Sequence, residues 1–350
     1  MKMTNVDFTE IEIQNLITHW VGNKMREEGI ELSKKESVVD DETKHHLLNY
    51  FLLPIKQEEF YSFVHSVKLE MNEVYTIIQE LFADTGSFID LSQNIAKLLY
   101  EQSLHPKIKE GKLNVCLFSN VSIDGESLQA IGIFKSETDV PFLKMKQGQS
   151  GFNIEHEYGF DIKGIDKGCI ILNTDEEKGY KMLIVDKANR SAEAQYWKDD
   201  FLNVRPVSNE YHQTNEFLSI TKNYITKEMP KEFEITKPDQ IDMLNRSVEY
   251  FKTNESFDKQ TFQDEVLQDP GVIDSFQNFH NVYQQENDIQ LGESFEISPT
   301  AVKKQARVFK SVIKLDRNFH IYVHGNRELI EQGVDNNGRK YYKIYYDEEK

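Results

Sequence analysis

Leu113-Asn-Val-Cys-Leu-Phe-Ser119 and Leu128-Gln-Ala-Ile-Gly-Ile-Phe-Lys135 decide the fold. Both are short runs rich in β-branched and aromatic residues, bounded by Gly, Asn or Asp, and they follow a stretch of helical periodicity. Gly168–Thr174 and Tyr180–Asp186 repeat the pattern, joined by Asp175-Glu-Glu-Lys-Gly179 as a hairpin loop. The spacing predicts an antiparallel sheet of meander type, with a period of two along each strand. Upstream, Ile11–Val21 suits a further strand, and Gly22 through Lys35 a turn and surface hairpin. Helices are predicted over Asp41–Leu53, stopped by Pro54, and over Asn72–Phe82 and Ser87–Gln102.

Downstream of the sheet, Ala192–Asn203 and Tyr211–Met229 read as helices, and Pro230 to Pro238 as an extended linker. Asp239 is placed to cap a helix carrying Ile241, Leu244, Val248 and Phe251. Asp258–Gln268 and Val272–Glu286 follow, split at Asp269-Pro-Gly271, and Ser298-Pro299 opens a short helix as N-cap and N1 proline. Strands are predicted at Val308–Leu315, Phe319–His324 and Lys340–Tyr346, the last after an Asn336-Asn-Gly338 turn. The fold class is α+β. Residues 1–229 form an N-terminal domain with an antiparallel sheet and flanking helices; residues 230–350 form a mostly helical region ending in a small antiparallel sheet.

A hydrophobic fraction of 39% with 11% aromatic residues in 350 is enough for a sizeable core and excludes a disordered chain. No run approaches the roughly 18 apolar residues that span a bilayer, and Met1–Asp7 lacks a signal-peptide core, so a cytoplasmic protein is expected. Cys116 and Cys169 lie in apolar strand runs and read as reduced core thiols; two cysteines make no structural zinc site, and no cofactor is implied.

Charge is polarised along the chain. Against a net charge of −18, residues 301–350 carry eleven Lys and Arg and seven Asp and Glu, a local balance of +4. The acidic remainder would repel phosphates, which excludes coating of DNA by the whole surface.

No catalytic constellation emerges. Gly148-Gln-Ser150-Gly151 lacks the glycine spacing of a nucleophile elbow, and Gly159 to Gly164 lacks the lysine and hydroxyl of a phosphate loop. Glu42-Thr-Lys44 has the acid-x-lysine spacing of some metal-dependent nucleases but falls on a helix. His45 and His46 diverge, and His320 and His324 on one strand would stand roughly 13 Å apart, too far to share a metal. Asp199 and Asp200 are adjacent on a helix and do not face one site. The protein is therefore expected not to be an enzyme.

Asp258–Glu286 has the length of a helix-turn-helix, yet residues 260–302 contain no Lys or Arg, so this region cannot read a major groove. The C-terminal strands differ. Lys310, Val312 and Lys314 share one face, opposite Phe309, Ile313 and Leu315; His320, Tyr322 and His324 alternate with Phe319, Ile321 and Val323. Arg339, Tyr341, Lys343 and Tyr345 likewise share a side. Paired, the three strands would show a basic, aromatic face suited to phosphate neutralisation and stacking. A half-buried sheet with a solvated outer face fits the same pattern. The candidate phosphate contacts are Lys303, Lys304, Arg307, Lys310, Lys314, Arg317, Arg339 and Lys343.

Ile13-Gln-Asn-Leu-Ile-Thr-His-Trp-Val-Gly22, Tyr180-Lys-Met-Leu-Ile-Val-Asp186, Ala194-Gln-Tyr-Trp-Lys-Asp-Asp-Phe-Leu202 and the hairpin ahead of Gly325 resemble the bacterial nucleoid-associated proteins of the NdpA type. The similarity in element order covers nearly the whole chain. It implies residence in the nucleoid, binding of double-stranded DNA without enzymatic activity, contact with type II topoisomerases and a homodimer, with no membrane association. Two other readings stay open: an adaptor whose acidic helical surface binds a basic protein such as a DNA-processing enzyme, and a metal-dependent nuclease using Glu42 and Lys44.

Overall fold

A computed structural model describes residues 6–148, 151–187, 196–287, 289–307, 309, 312–323 and 327–348. The chain divides into two compact units, 2–207 and 208–350. The sequence reading put this boundary at 229/230; Pro230 instead lies within a helical segment, Met229–Glu232, of the second unit.

In the first unit, in chain order, come β1 (Val6–Asp7), β2 (Glu12–Val21), β3 (Ile30–Glu31), α1 (Asp41–Leu52), β4 (Phe60–Phe63), α2 (Glu73–Ala83) and α3 (Phe88–Glu101). They are followed by β5 (Gly111–Ile123), β6 (Glu126–Ser136), β7 (Asp139–Gly148), β8 (Gly151–Phe160), β9 (Lys167–Leu172), β10 (Lys181–Asp186) and β11 (Val204–Pro206). One sheet runs β11-β4-β10-β9-β6-β5-β2-β3, with β1 added beside β5, and every pairing is antiparallel. The four strands read from the sequence are its central meander. Among the described residues β7 and β8 pair only with each other, and they interrupt the meander between β6 and β9.

The expected period of two is not seen in burial: the centre of β5 is buried on both sides. Val115 and Leu117 face α2 and α3, packing with Ile78, Leu81, Ile95 and Leu99. Cys116 and Phe118 face α1, packing with Tyr50 and Phe51. Helices cover both faces, so both sets of side chains must be apolar. The two thiols fall in the separate cores and remain free and buried; desolvation raises both, Cys169 to about 12. Two glycines are required sterically. Phe134 stacks on Phe51 at 4.3 Å, and a Cβ on Gly168 would meet its ring at 2.5 Å. Gly179 closes the β9–β10 loop at φ +89°, where a Cβ would stand 2.2 Å from the Phe63 carbonyl oxygen.

The second unit contains α4 (Glu210–Asn223), which runs through a π-helical turn, Tyr224–Glu228, and then α5 (Lys237–Thr253), β12 (Ser256–Asp258), α6 (Pro270–Asn287), β13 (Ser294–Glu296) and α7 (Pro299–Ala306). The N-cap of α5 is Thr236, not Asp239. Thr236 Oγ1 accepts from Asp239 N, and Asp239 Oδ2 accepts from Thr236 N at 3.1 Å, a reciprocal capping box. Phe217 centres an aromatic core: its ring lies 4.2 Å from Phe257, 5.0 Å from Phe262 and 5.9 Å from Phe251 and Phe276. β14 (Val312–Leu315), β15 (Phe319–Tyr322), β16 (Ile330–Val334) and β17 (Lys340–Ile344) end the chain.

Candidate nucleic-acid interface

The terminal strands do not join into one three-stranded face. β14 pairs with β15, while β17 pairs with β16, a strand the sequence reading left out. The reason is local. Gly338 takes φ +80°, and Asp335 Oδ1 accepts from Asn337 N at 2.9 Å and Arg339 N at 2.8 Å, so the chain turns back onto its immediate neighbour. Gly333 and the polar pair before it, Glu331 and Gln332, hide the β character of that neighbour in the sequence.

Each hairpin nevertheless keeps an apolar and a polar side. Ile313 pairs with Ile321 and joins Val323, Ile330 and Ile241 of α5 in a small core, with Tyr342 against it. On the other side Lys314 pairs with His320 and Val312 with Tyr322; Lys314, His320 and Tyr322 are exposed. The predicted basic and aromatic side thus exists on this hairpin, four residues long per strand. Arg317 lies in its turn, and Arg339 in the turn before β17; both are exposed. Lys310 and His324 lie outside the described residues.

Ser298 caps α7 as expected, with its hydroxyl accepting from Ala301 N, and the cap sets the direction of Lys303, Lys304 and Arg307. Lys303 and Arg307, one turn apart, line a groove of about 670 Å³ with Lys252 from the last turn of α5, over Phe251, Ile297 and Val302. A second groove of about 450 Å³, lined by Lys252, Arg307, Val312 and Tyr322, continues toward the first hairpin. Lys252 was missed by the sequence reading; only packing of α5 on α7 brings it beside Arg307. Glu249 and Glu255 also line these grooves, so the local potential is mixed.

The candidate cations are not equivalent. Lys304 donates to Tyr211 Oη at 2.8 Å and lies 5.3 Å from the centre of that ring. Lys343 bonds the Tyr345 hydroxyl and lies 3.5 Å from Glu331, and both contacts raise its pKa, the tyrosine bond foremost. Glu331 is lowered by the same pair, again chiefly by Tyr345. Among the described residues, Lys303, Arg307, Lys314, Arg317 and Arg339 form no ion pair, so their charge is available to a polyanion.

Elsewhere, Glu42 and Lys44 sit in the first turn of α1, where Lys44 approaches Asp41 at 3.9 Å. His45 hydrogen-bonds Asn49, and Asp199 pairs with Arg205 at 3.0 Å. Among the described residues no group of three or more His, Cys, Asp or Glu could hold a metal ion. No helix among them is long and apolar enough to cross a membrane.

Fold and site define an α+β protein with an antiparallel sheet in its first unit and a mostly helical second unit that carries Lys303, Arg307 and the exposed side of the β14–β15 hairpin. The chain belongs to the nucleoid-associated protein YejK family, whose model matches residues 17–344. The resemblance carried by Ile13–Gly22, Tyr180–Asp186 and Ala194–Leu202 is therefore borne out, and membership places the protein with the nucleoid. It is not a known enzyme family. No curated protein matches the chain significantly.

Proposed function

We propose that this nucleoid-associated protein binds duplex DNA directly, with no chemistry of its own, through phosphate contacts from the second unit. The contacts are Lys303, Lys304, Arg307, Lys310, Lys314, Arg317 and Arg339, with a smaller share from Lys343, already offset by Glu331. The observation that carries the reading is the pair Lys303 and Arg307. Both are exposed and free of carboxylate partners among the described residues, and they border a groove that also holds Lys252. Such groups release counterions when they meet phosphates, so affinity should fall steeply with salt. The test is a salt titration of the full chain on duplex DNA, beside the triple variant K303E/R307E/K314E. Binding at low salt that the variant loses supports the reading; no binding at low salt, or an unaffected variant, overturns it. The reading includes a homodimer in the cytoplasmic nucleoid.

A second reading rests on a different observation. Asp264, Glu265, Asp269, Asp274, Glu286 and Glu293 are all exposed around α6, in a stretch without Lys or Arg. That surface suits a basic protein partner, and a type II topoisomerase is the one the resemblance implies. Partner recovery that survives nuclease treatment favours this adaptor reading; loss of every partner with the DNA favours the first.

A further inference from the structure

β7 and β8 form a ribbon of ten residues per strand and, among the described residues, pair only with each other. The register Pro141↔Tyr158, Leu143↔His156, Met145↔Ile154 and Gln147↔Phe152 places all of these side chains on one face. The opposite face carries Lys144, Lys146, Glu155 and Glu157, which pair as Lys144–Glu157 at 3.1 Å and Lys146–Glu155 at 2.6 Å. The ribbon is anchored at its root, where Lys112 pairs with Asp139 at 2.9 Å and Phe160 stacks on Tyr50 at 5.9 Å.

The first face is uncovered. Leu143, Met145, Phe152, Ile154 and Tyr158 are 70%, 67%, 72%, 63% and 66% exposed. Together they leave roughly 700 Å² of apolar side chain in water, more than the roughly 300–600 Å² patch of an ordinary monomer. A two-stranded ribbon is marginally stable on its own, so a face of this composition needs a cover.

We propose that the cover is the same face of a second copy of this chain, the two ribbons packing across a two-fold axis. The inference rests on the homodimer in the function proposed above and supplies its surface. Three observations select this occupant. Between Pro141 and Gln147 and between Phe152 and Tyr158 the face carries no Lys, Arg, Asp or Glu, its polar side chains being Gln147, His156 and the Tyr158 hydroxyl, so no formal charge there is set to pair with a phosphate or a charged partner. The charges on the reverse face are satisfied within the ribbon and balance, which disfavours a nucleic acid. The area available is close to the roughly 800 Å² per partner of a standard interface, and a flat apolar face is complementary to its own copy. Two such faces stack as sheet on sheet, with Met145 and Ile154 at the centre of the patch.

The test is the mass of the full chain in solution by sedimentation equilibrium over a wide concentration range. The wild type is expected to be a two-copy species. L143E/I154E and, independently, M145K/F152K are expected to be single copies with an unchanged far-ultraviolet spectrum and melting transition. N153E, on the reverse face, should remain two-copy. A single-copy wild type, or either face variant that keeps two copies, overturns the proposal. Duplex affinity is read separately on the wild type, so failure of the dimer is distinguishable from failure of the DNA reading.

Discussion

Lys135 Nζ lies 3.1 Å from Glu137 Oε1, with the lysine side chain wholly withdrawn from solvent. The same ammonium donates to the Lys109 carbonyl at 2.6 Å and to Tyr196 Oη at 3.3 Å. A second buried lysine, Lys167, stands 3.7 Å from Glu137 and 3.2 Å from Asp186. Burial lowers the Lys135 pKa, and Glu137 opposes that shift. Glu137 is thus the shared counter-ion of two lysines at the end of strands that are otherwise apolar.

Replacing Glu137 by Gln leaves Lys135 with no carboxylate within ion-pair distance among the described residues and Lys167 with Asp186. Breaking a buried pair from one side costs about 3–5 kcal/mol. Urea unfolding of E137Q should show a loss of that size, and a loss below about 1 kcal/mol would mean that water already solvates the cluster.

His19 sits between Ser92 and Ser33, its Nε2 3.1 Å from Ser92 Oγ and its Nδ1 accepting from Ser33 N at 3.1 Å. Burial pushes its pKa down to about 4. Above about pH 6.5 the residue is neutral whether folded or unfolded. Below that, the unfolded chain takes up a proton that the folded chain refuses until about pH 4. Stability should therefore fall as pH drops through this window, by about 1.4 kcal/mol per pH unit for one histidine. Buried His280 is lowered in the same direction and adds to the effect. Unfolding free energies measured from pH 7 to 4.5 should have a shallower slope in H19Q; an identical slope would refute the assignment.

At Gly168 a methyl group would press on Phe134 Cδ1 at 2.5 Å and on Cε1 at 3.1 Å. That ring cannot retreat, because it is stacked on Phe51 and buried. G168A should lose about 1–3 kcal/mol through overpacking. Full stability in the variant would show that the aromatic stack is loose.

Arg307 and Lys343 should differ in DNA binding although both were read as phosphate contacts. Neutralising Arg307 to Gln should lower the slope of log affinity against log salt by about one. Neutralising Lys343 to Gln should lower it by less than half as much, since Glu331 and Tyr345 already hold its charge. Equal changes in the two slopes would contradict this ranking.

The sequence by itself determined the elements whose cause is local. Alternating apolar runs, Pro54 after α1, the Asn336-Asn-Gly338 turn and the Ser298-Pro299 cap act through dihedral preference and nearest-neighbour hydrogen bonds, which are written residue by residue. Charge polarity along the chain was legible for the same reason. Tertiary structure decided what depends on distant partners: that helices cover both faces of the sheet, and that Lys252 of α5 joins Arg307. It also decided that Lys343 is balanced by Glu331 while Arg307 keeps its charge free among the described residues. Burial and ion pairing are set by the free energy of the whole packed chain, so equal lysines and arginines in a sequence become unequal only once it folds.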